Sequence, residues 1–181
     1  MRLALRPFRR SDFAALISWV PTPDALAQWC AGFFQFPLDV SQLQGYLESA
    51  SRPHAREIFT AESEQGESVG HVELSMIWPH LSCRLSRVLV APEWRGTGVG
   101  REIVRLAVSR AFQRYRVSRI DLGVSDDNQI AIRCYEGQHF THVGTWPDAL
   151  AVYGKSINVY WMTRMRAEWE NGGRHLEHGG R

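Results

Sequence analysis

The sequence predicts one α/β or α+β domain, in which about seven strands form a sheet and about four helices pack on it. Segments in which apolar and polar residues alternate are interspersed with segments whose apolar residues recur every three or four positions. These are the periods of strands and helices. The 181 residues are 44% hydrophobic and 22% charged, which is typical of a globular protein with a single core.

The first half of the chain predicts a strand, two helices and three consecutive strands. Ser11 and Asp12 are residue types that cap helices, and Pro21 and Pro23 end the first helix. Gln65-Gly66 joins two alternating segments and predicts a hairpin. The predicted elements are a strand at 3–7, a helix at 13–20, an irregular segment at 29–37, a helix capped by Asp39 or Ser41, and strands at 57–64, 68–77 and 82–90.

The second half contains the strongest helical pattern, which begins at Gly96 to Gly100. The apolar stripe of this helix consists of Val104, Ala107, Val108, Ala111, Phe112 and Tyr115. The elements predicted after it are a strand at 119–124, a helix capped by Asp126 or Asp127 that ends near Glu136, and strands at 140–146 and 158–165. We expect a single domain over residues 1–168 and a frayed tail over 169–181, which contains two Gly-Gly pairs.

Composition and charge exclude several classes of protein. The longest apolar runs are far shorter than the roughly 18 residues that a membrane span needs, so no membrane association is expected. Arginine and proline interrupt residues 1–7 before a signal-like core can form, and we expect a cytoplasmic protein. The net charge of +2, from 20 arginines and one lysine against 19 acids, does not indicate a nucleic-acid partner.

A glycine-rich segment between a strand and a helix indicates a phosphate site. Gly96, Gly98 and Gly100 alternate with Thr97 and Val99, and such a loop lets backbone N–H groups converge at a helix N-terminus. A P-loop would need a lysine here, and the only lysine of the chain is Lys155. A dinucleotide fold would need another glycine spacing, although Asp121 lies about 20 residues further on.

Two motifs in this order resemble the GNAT superfamily of acyl-CoA-dependent N-acetyltransferases. The first is Arg95-Gly96-Thr97-Gly98-Val99-Gly100, which follows Val90-Ala91-Pro92. The second consists of Asn128, Ala131, Tyr135, Glu136 and Phe140. The resemblance implies a mixed, mostly antiparallel sheet and acetyl-CoA as cosubstrate, without a metal. The order of elements is most similar to the branch of ribosomal-protein N-terminal acetyltransferases.

The resemblance also implies which residues bind CoA. The glycine loop would hold the pyrophosphate, the last strand residues before it would bind the pantetheine arm, and nearby arginines would reach the 3′-phosphate. The candidate CoA-binding residues are Val88, Leu89, Val90, Arg95, Gly96, Thr97, Gly98, Val99, Gly100, Arg101 and Asn128. Arg105 is a further candidate, and Asn128 also has the alternative role of a helix cap.

Transfer of the acetyl group needs an acid for the leaving thiolate and a base for the amine. Tyr135 matches the family's general acid, with the alternative that it only packs its helix on the sheet. Glu73 shares a strand face with His71 and Ser75 and is the candidate general base, with the alternative of a polar strand face. His80 and His142 are reserve candidates.

Two departures from the family pattern bear on these assignments. Many members have an acid or histidine on the strand before the glycine loop, where this chain has Ser82, Cys83, Arg84 and Ser86. His139 stands where the family usually has glycine before Phe140, so the turn there can differ.

The sequence therefore predicts an N-acetyltransferase that moves an acetyl group from acetyl-CoA to a primary amine by direct attack in a ternary complex. The acceptor class stays open between a small amine, an antibiotic-like amine and a protein N-terminus. Asp148, in the loop between the last two strands, is a candidate for holding a cationic amine. The alternative function is a non-catalytic acyl-CoA sensor, and a homodimer is possible.

Overall fold

The computed structural model describes residues 2–50, 56–77, 81–152 and 154–177. The strands are β1 (Leu3–Pro7), β2 (Arg56–Ser63), β3 (Ser68–Ile77), β4 (Ser82–Val90), β5 (Arg119–Ser125), β6 (Thr141–Val152) and β7 (Lys155–Met165). The helices are α1 (Phe13–Ser18), α2 (Pro23–Cys30), α3 (Val40–Ser49), α4 (Val99–Arg114), α5 (Gln129–Glu136) and α6 (Arg166–Glu177). Short 3₁₀ turns cover Arg10–Asp12 and Pro92–Trp94.

The seven strands form one mixed sheet in the order β1-β2-β3-β4-β5-β7-β6. Every neighbouring pair is antiparallel except β4 and β5, which are parallel. The chain enters β5 through α4, as a parallel connection requires. The predicted fold class and the hairpin at Gln65-Gly66 are confirmed, and the Gly66 N–H donates to Ser63 across this turn.

Helices cover the sheet on two faces, and the alternation along β3 assigns residues to each face. Val72 and Leu74 belong to the core that α4 covers, and the predicted apolar stripe of α4 is buried there except for the half-buried Tyr115. His71 and Glu73 face the other side, where α1 to α3 form a second, aromatic-rich core that includes Trp29 and Tyr46.

The described residues form six helices, two of which, α2 and α6, the sequence pattern did not predict. Residues 29–37 were expected to be irregular, but α2 extends to Cys30 and the irregular segment starts after it. The start of α2 follows from the sequence, because the Thr22 side chain accepts a hydrogen bond from the Ala25 N–H and Pro23 occupies the first turn. Pro23 therefore begins a helix here instead of only ending the previous one.

The N-terminal caps also differ in part from the prediction. Asp39 caps α3 by accepting from the Gln42 N–H. Asp12 makes no side-chain cap on α1, because its carboxylate bonds to Arg6 and Thr60 instead. Helix α5 is capped by Asn128, which accepts from the Ala131 N–H, and not by Asp126 or Asp127.

The last helix crosses the boundary that was expected between the domain and its tail. Helix α6 starts at Arg166, before residue 168, and continues to Glu177. The Arg166 guanidinium donates to the carbonyls of Phe112, Tyr115 and Val117 and so ties α6 to the C-terminal end of α4. The single domain over 1–168 remains a prediction.

The ion pair between Arg6 of β1 and the buried Asp12 gives a test of the fold. We predict that Asp12→Asn lowers the free energy of unfolding by about 2 kcal/mol, because the half-buried Arg6 would keep Glu62 but lose the charge of its other carboxylate partner. Burial raises the pKa of Asp12, but hydrogen bonds from Arg6, the Arg9 N–H and Thr60 outweigh it and hold this pKa below its ordinary value.

The stabilisation is therefore present at neutral pH and is lost as the pH falls below about 4. Urea unfolding of the wild type and of Asp12→Asn at pH 7 and pH 3 measures this difference in the free energy of unfolding. An equal difference in stability at the two pH values would contradict the assigned role of the carboxylate.

Candidate active site

Strands β4 and β5 pair only over their first three residues. The paired residues are Ser82 with Arg119, Cys83 with Ile120 and Arg84 with Asp121. From Leu85 to Val90 the edge of β4 that faces β5 has no strand beside it in the described part of the chain. The sheet therefore has an opening between residues 85–90 of β4 and the part of β5 after Asp121. The edge of β4 offers backbone N–H and C=O groups to a ligand that enters this opening.

Strand β4 contains a bulge next to this opening. His71 pairs with Leu89 and Glu73 with Ser86, so Arg87 and Val88 together oppose the single residue Val72. Arg87 has φ of +50°, a left-handed conformation that costs a non-glycine residue roughly 1–3 kcal/mol. The surrounding contacts must offset this cost.

The glycine loop after β4 has the shape of an anion site. Gly96 and Gly98 have φ of +78° and +91°, and Gly98 is the N-cap of α4. The first N–H groups of α4 have no partner within the helix, and they point out of its N-terminus with a partial positive charge. Thr97 closes the loop by donating to the Trp94 carbonyl at 2.6 Å. These features match the binding of a CoA pyrophosphate.

The arginines around the loop have different roles. Arg95 turns back and donates to the Val90 carbonyl at 3.2 Å and to the Trp19 carbonyl at 3.5 Å. Arg101 lies against Gly137 at the end of α5, where a Cβ would come within 2.5 Å of its Nη2. Arg105 pairs with Glu102 on the exposed face of α4. Arg101 is therefore better placed than Arg105 for a phosphate on the helix N-terminus.

Helix α5 brings Tyr135 to the same region. A Cβ on Gly100 would lie 3.3 Å from Val90 and 3.9 Å from the Cys134 sulfur, so the end of β4, the start of α4 and α5 meet here. Tyr135 is half-buried against the core that α4 covers. Burial, with a smaller effect of Cys134, raises the pKa of Tyr135. The phenol therefore keeps its proton at neutral pH, as a general acid must.

Glu73 lies on the opposite side of the sheet and is completely buried. Arg87 donates to both of its oxygens, at 2.7 Å to Oε2 and 2.5 Å to Oε1. The Tyr46 hydroxyl donates to Oε2 at 2.7 Å and the Ser75 hydroxyl to Oε1 at 2.6 Å. Arg56 adds an ion pair to Oε1 at 3.2 Å.

This environment determines the protonation of Glu73. Burial raises its pKa, but the charge of Arg87 and the hydrogen bonds from Arg87, Ser75 and Tyr46 outweigh burial, so the pKa lies below its ordinary value. A carboxylate with this many donors is a weak base. These surroundings disfavour the expected role of Glu73 as the group that removes the amine proton.

His71 completes the buried group around Glu73. Its Nε2 lies 3.2 Å from the Tyr46 hydroxyl, which already donates to Glu73, so Nε2 must carry the proton. The His71 Nδ1 is buried without a hydrogen-bond partner among the described residues. Burial lowers the pKa of His71 to about 3, so the ring is neutral at physiological pH.

The other candidate residues have local partners. Asp121 accepts from Arg119 and Thr163, which assigns it to the sheet and not to a ribose. His142 is exposed and stacks on Tyr160 at 3.7 Å. His80 lies outside the described residues.

No group of three His, Cys, Asp or Glu side chains in the described residues could hold a metal ion, and the metal-free reaction remains a prediction. No helix in this part of the chain is long and apolar enough to span a membrane.

His139 adopts a left-handed conformation at the position where the family usually has glycine. Its φ of +61° is left-handed, and its N–H donates to the Glu136 carbonyl at 2.9 Å. The next N–H, of Phe140, donates to the Tyr135 carbonyl at 3.1 Å. The chain thus adopts a left-handed turn here without glycine, and Tyr135 stays on its helix.

The sequence reading missed the residues that surround Glu73. Arg87 was not a candidate because only the bulge places its side chain on the same face as Glu73. Trp29 donates from Nε1 to the Arg87 carbonyl at 2.9 Å, and Phe33 lies 4.2 Å from the Arg87 guanidinium. The alternation of polar and apolar residues along β3 did predict the face on which Glu73 lies, but it could not show which residues contact Glu73.

Comparison with known proteins identifies the family of this chain. A sequence model of the acetyltransferase (GNAT) family matches residues 23–140. The spermidine N(1)-acetyltransferase of Vibrio cholerae is 24% identical over 172 residues, which cover 94% of this chain and 96% of that protein. An aminoglycoside N(6′)-acetyltransferase type 1 of Klebsiella pneumoniae is 26% identical over 164 residues, which cover 83% and 81% of the two chains.

A solved structure shows the same fold. The spermidine N-acetyltransferase of Vibrio cholerae in complex with CoA and spermine superposes with a TM-score of 0.82 at 23% identity, over 93% of this chain and 98% of that chain. This likeness confirms the predicted arrangement of sheet and helices.

The chain belongs to the GNAT family of acetyltransferases. It is an acetyl-CoA-dependent N-acetyltransferase that acts on amines. Because these relatives are enzymes, the comparison does not favour the alternative of a non-catalytic acyl-CoA sensor. The finer resemblance to the ribosomal-protein branch has no support from the relatives named above.

The glycine loop gives a prediction with a matched control. Gly98→Val should weaken CoA binding at least tenfold, because valine resists the left-handed conformation and its distortion would displace the N–H groups of α4. Calorimetric titration with CoA measures this affinity. Gly66→Val, at φ of +82° in the β2–β3 hairpin, carries the same backbone strain outside the site and should leave CoA binding unchanged. Equal affinities of the two variants for CoA would refute the assignment of the glycine loop as the pyrophosphate site.

Proposed function

We propose that the enzyme acetylates a small primary amine by direct attack on acetyl-CoA in a ternary complex. Acetyl-CoA would lie in the opening between β4 and β5, with its pyrophosphate on the glycine loop and its pantetheine arm along Val88 to Val90. The observation that carries this proposal is the end of β4–β5 pairing at Arg84 and Asp121, which leaves the rest of β4 unpaired as far as Val90, ahead of the glycine loop.

Residues on three elements support the binding of CoA. Val88, Leu89 and Val90 are half-buried on β4 and present the open strand edge. Gly96 to Gly100 supply backbone N–H groups, and Arg101 supplies charge beside them. Arg95 would act by holding the loop, since its guanidinium bonds to backbone carbonyls. Asn128 would act by starting α5, the helix that carries Tyr135.

The proposed chemistry conserves every proton. The neutral amine attacks the acetyl carbon, the C–S bond of the thioester breaks, and the proton that the amine loses passes to solvent water. Tyr135 donates its proton to the departing CoA thiolate and is reprotonated from solvent. The raised pKa of Tyr135 keeps its phenol protonated throughout the neutral range, so a proton is present when the C–S bond breaks.

The relatives guide the choice of acceptor. Their names specify spermidine and aminoglycosides, which are small polyamines and amino sugars. Asp148 lies in β6 and not in a loop, is exposed, and accepts a hydrogen bond from Ser156, while Lys155 at the start of β7 pairs with Asp24 of α2 at 3.1 Å. The names of the relatives and the exposed Asp148 carboxylate support a cationic small amine as acceptor over a protein N-terminus. A cytoplasmic location and a homodimer remain predictions.

The proposed acid is tested by Tyr135→Phe. We expect kcat to fall by roughly 10²-fold or more, because a positioned acid contributes about that factor, while CoA affinity changes less than threefold. Thiol release from acetyl-CoA in the presence of an amine measures kcat. The control is Tyr115→Phe, which lies at the C-terminal end of α4, away from the glycine loop, and should keep full activity. An active Tyr135→Phe enzyme would remove Tyr135 from the mechanism.

The acceptor class is tested by a panel of amines at equal concentration. We expect spermidine or an aminoglycoside to give a higher kcat/KM than a peptide with a free N-terminus. A preference for the peptide would support the ribosomal-protein branch instead, and acetylation of none of them with intact CoA binding would favour the sensor.

A further inference from the structure

We propose that Glu73 and Trp29 are positioning residues that act through Arg87 to fix the β4 bulge at the reaction site. The proposal rests on the proposed function in one respect, that acetyl-CoA lies along the open edge of β4. It assigns to Glu73 an indirect role in place of proton transfer.

The bulge places the Arg87 side chain on the face of the sheet that carries Glu73. Val88 and Val90 pack on the core under α4, whereas Leu89 packs on the core of α1 to α3. On the other side of the bulge, Ser86 pairs with Glu73. A bulge bends its strand and shifts the alternation of its backbone groups. The bulge at Arg87 and Val88 therefore determines which N–H and C=O groups of β4 face the opening.

Three contacts from three different elements hold Arg87 in its left-handed conformation. Glu73 of β3 binds the guanidinium through two hydrogen bonds. Trp29 of α2 donates to the Arg87 carbonyl at 2.9 Å. The Phe33 ring, in the segment after α2, lies 4.2 Å from the guanidinium carbon. A forked pair of bonds fixes the orientation of an arginine, which one bond to a lysine could not do.

The contacts of Glu73 are in turn fixed. Tyr46 and Ser75 donate to its two oxygens, so the carboxylate has one orientation, and no part of it is exposed. Trp29 is buried and stacks on Phe34 at 5.5 Å. The bulge is thus held by Glu73 of the neighbouring strand β3 and by Trp29 of α2, which packs on the sheet. Neither contact requires Glu73 to meet the substrate.

The test uses two variants that change different contacts of Arg87 from different elements, Glu73 of β3 and Trp29 of α2. Glu73→Gln removes the charge and one acceptor oxygen, and Trp29→Phe removes only the hydrogen bond to the Arg87 carbonyl and part of the ring. We expect each to lower kcat at least fivefold, with KM for acetyl-CoA changed less than threefold. We also expect the acidic limb of the pH profile of kcat/KM to stay in place. The double variant should lose less than the product of the two single losses, because both act on Arg87.

Asp12→Asn is the matched control. Asp12 is likewise a buried carboxylate with two bonds from an arginine, but its partner Arg6 lies on the edge strand β1, three strands from β4. This variant should be less stable and yet keep the kcat of the wild type per folded molecule. If Glu73→Gln does not fold, Trp29→Phe alone decides between the outcomes.

Each other result overturns the proposal. Loss of the acidic limb in Glu73→Gln, with normal kcat in Trp29→Phe, would make Glu73 the general base. Normal kcat in both variants, with lowered stability only, would make the group purely structural. Failure of the wild-type enzyme to bind CoA would instead refute the proposed function, and calorimetry with CoA detects that case separately.

Discussion

Strands β4 and β5 are parallel neighbours that pair over only three residues each, and the site depends on this limit. Parallel strands in a sheet ordinarily continue side by side and satisfy each other's backbone groups. Here β4 continues to Val90 and β5 to Ser125 without a shared ladder. The unpaired part of β4 precedes the glycine loop in the chain, so a free strand edge is followed by a helix N-terminus.

The opening is stabilised by different interactions on each side of the sheet. On the α4 side, apolar packing joins β4, α4 and α5, and Gly100 permits their close approach because a Cβ there would already lie 3.3 Å from Val90. On the other side, a buried ion pair between Glu73 and Arg87 holds the bulge. Such a pair stabilises a fold less than apolar packing does, but it fixes orientation, and orientation is what a reaction site needs.

The parts of the fold that follow local rules could be predicted from the sequence. The apolar stripe of α4 and the alternation along β3 each have one clear period, and both elements were predicted within a residue or two. The parts that depend on tertiary contacts could not. Asp12 has the residue type of a helix cap but bonds to Arg6, and Arg87 reaches Glu73 only because a bulge shifts the alternation of β4. Likewise, the motif predicted the position of Tyr135, whereas the donors around Glu73 come from separate segments of the chain.

The most direct test of the account is amide hydrogen exchange of the wild-type enzyme with and without saturating CoA. If CoA occupies the opening, exchange should slow at Val88 to Val90 and at Gly96 to Arg101, while β1 and β2 exchange at unchanged rates. These two segments contain the free strand edge and the helix N-terminus to which CoA is assigned. Saturation with CoA that leaves both segments unprotected, or that protects only residues elsewhere, would contradict the placement of the cosubstrate between β4 and β5.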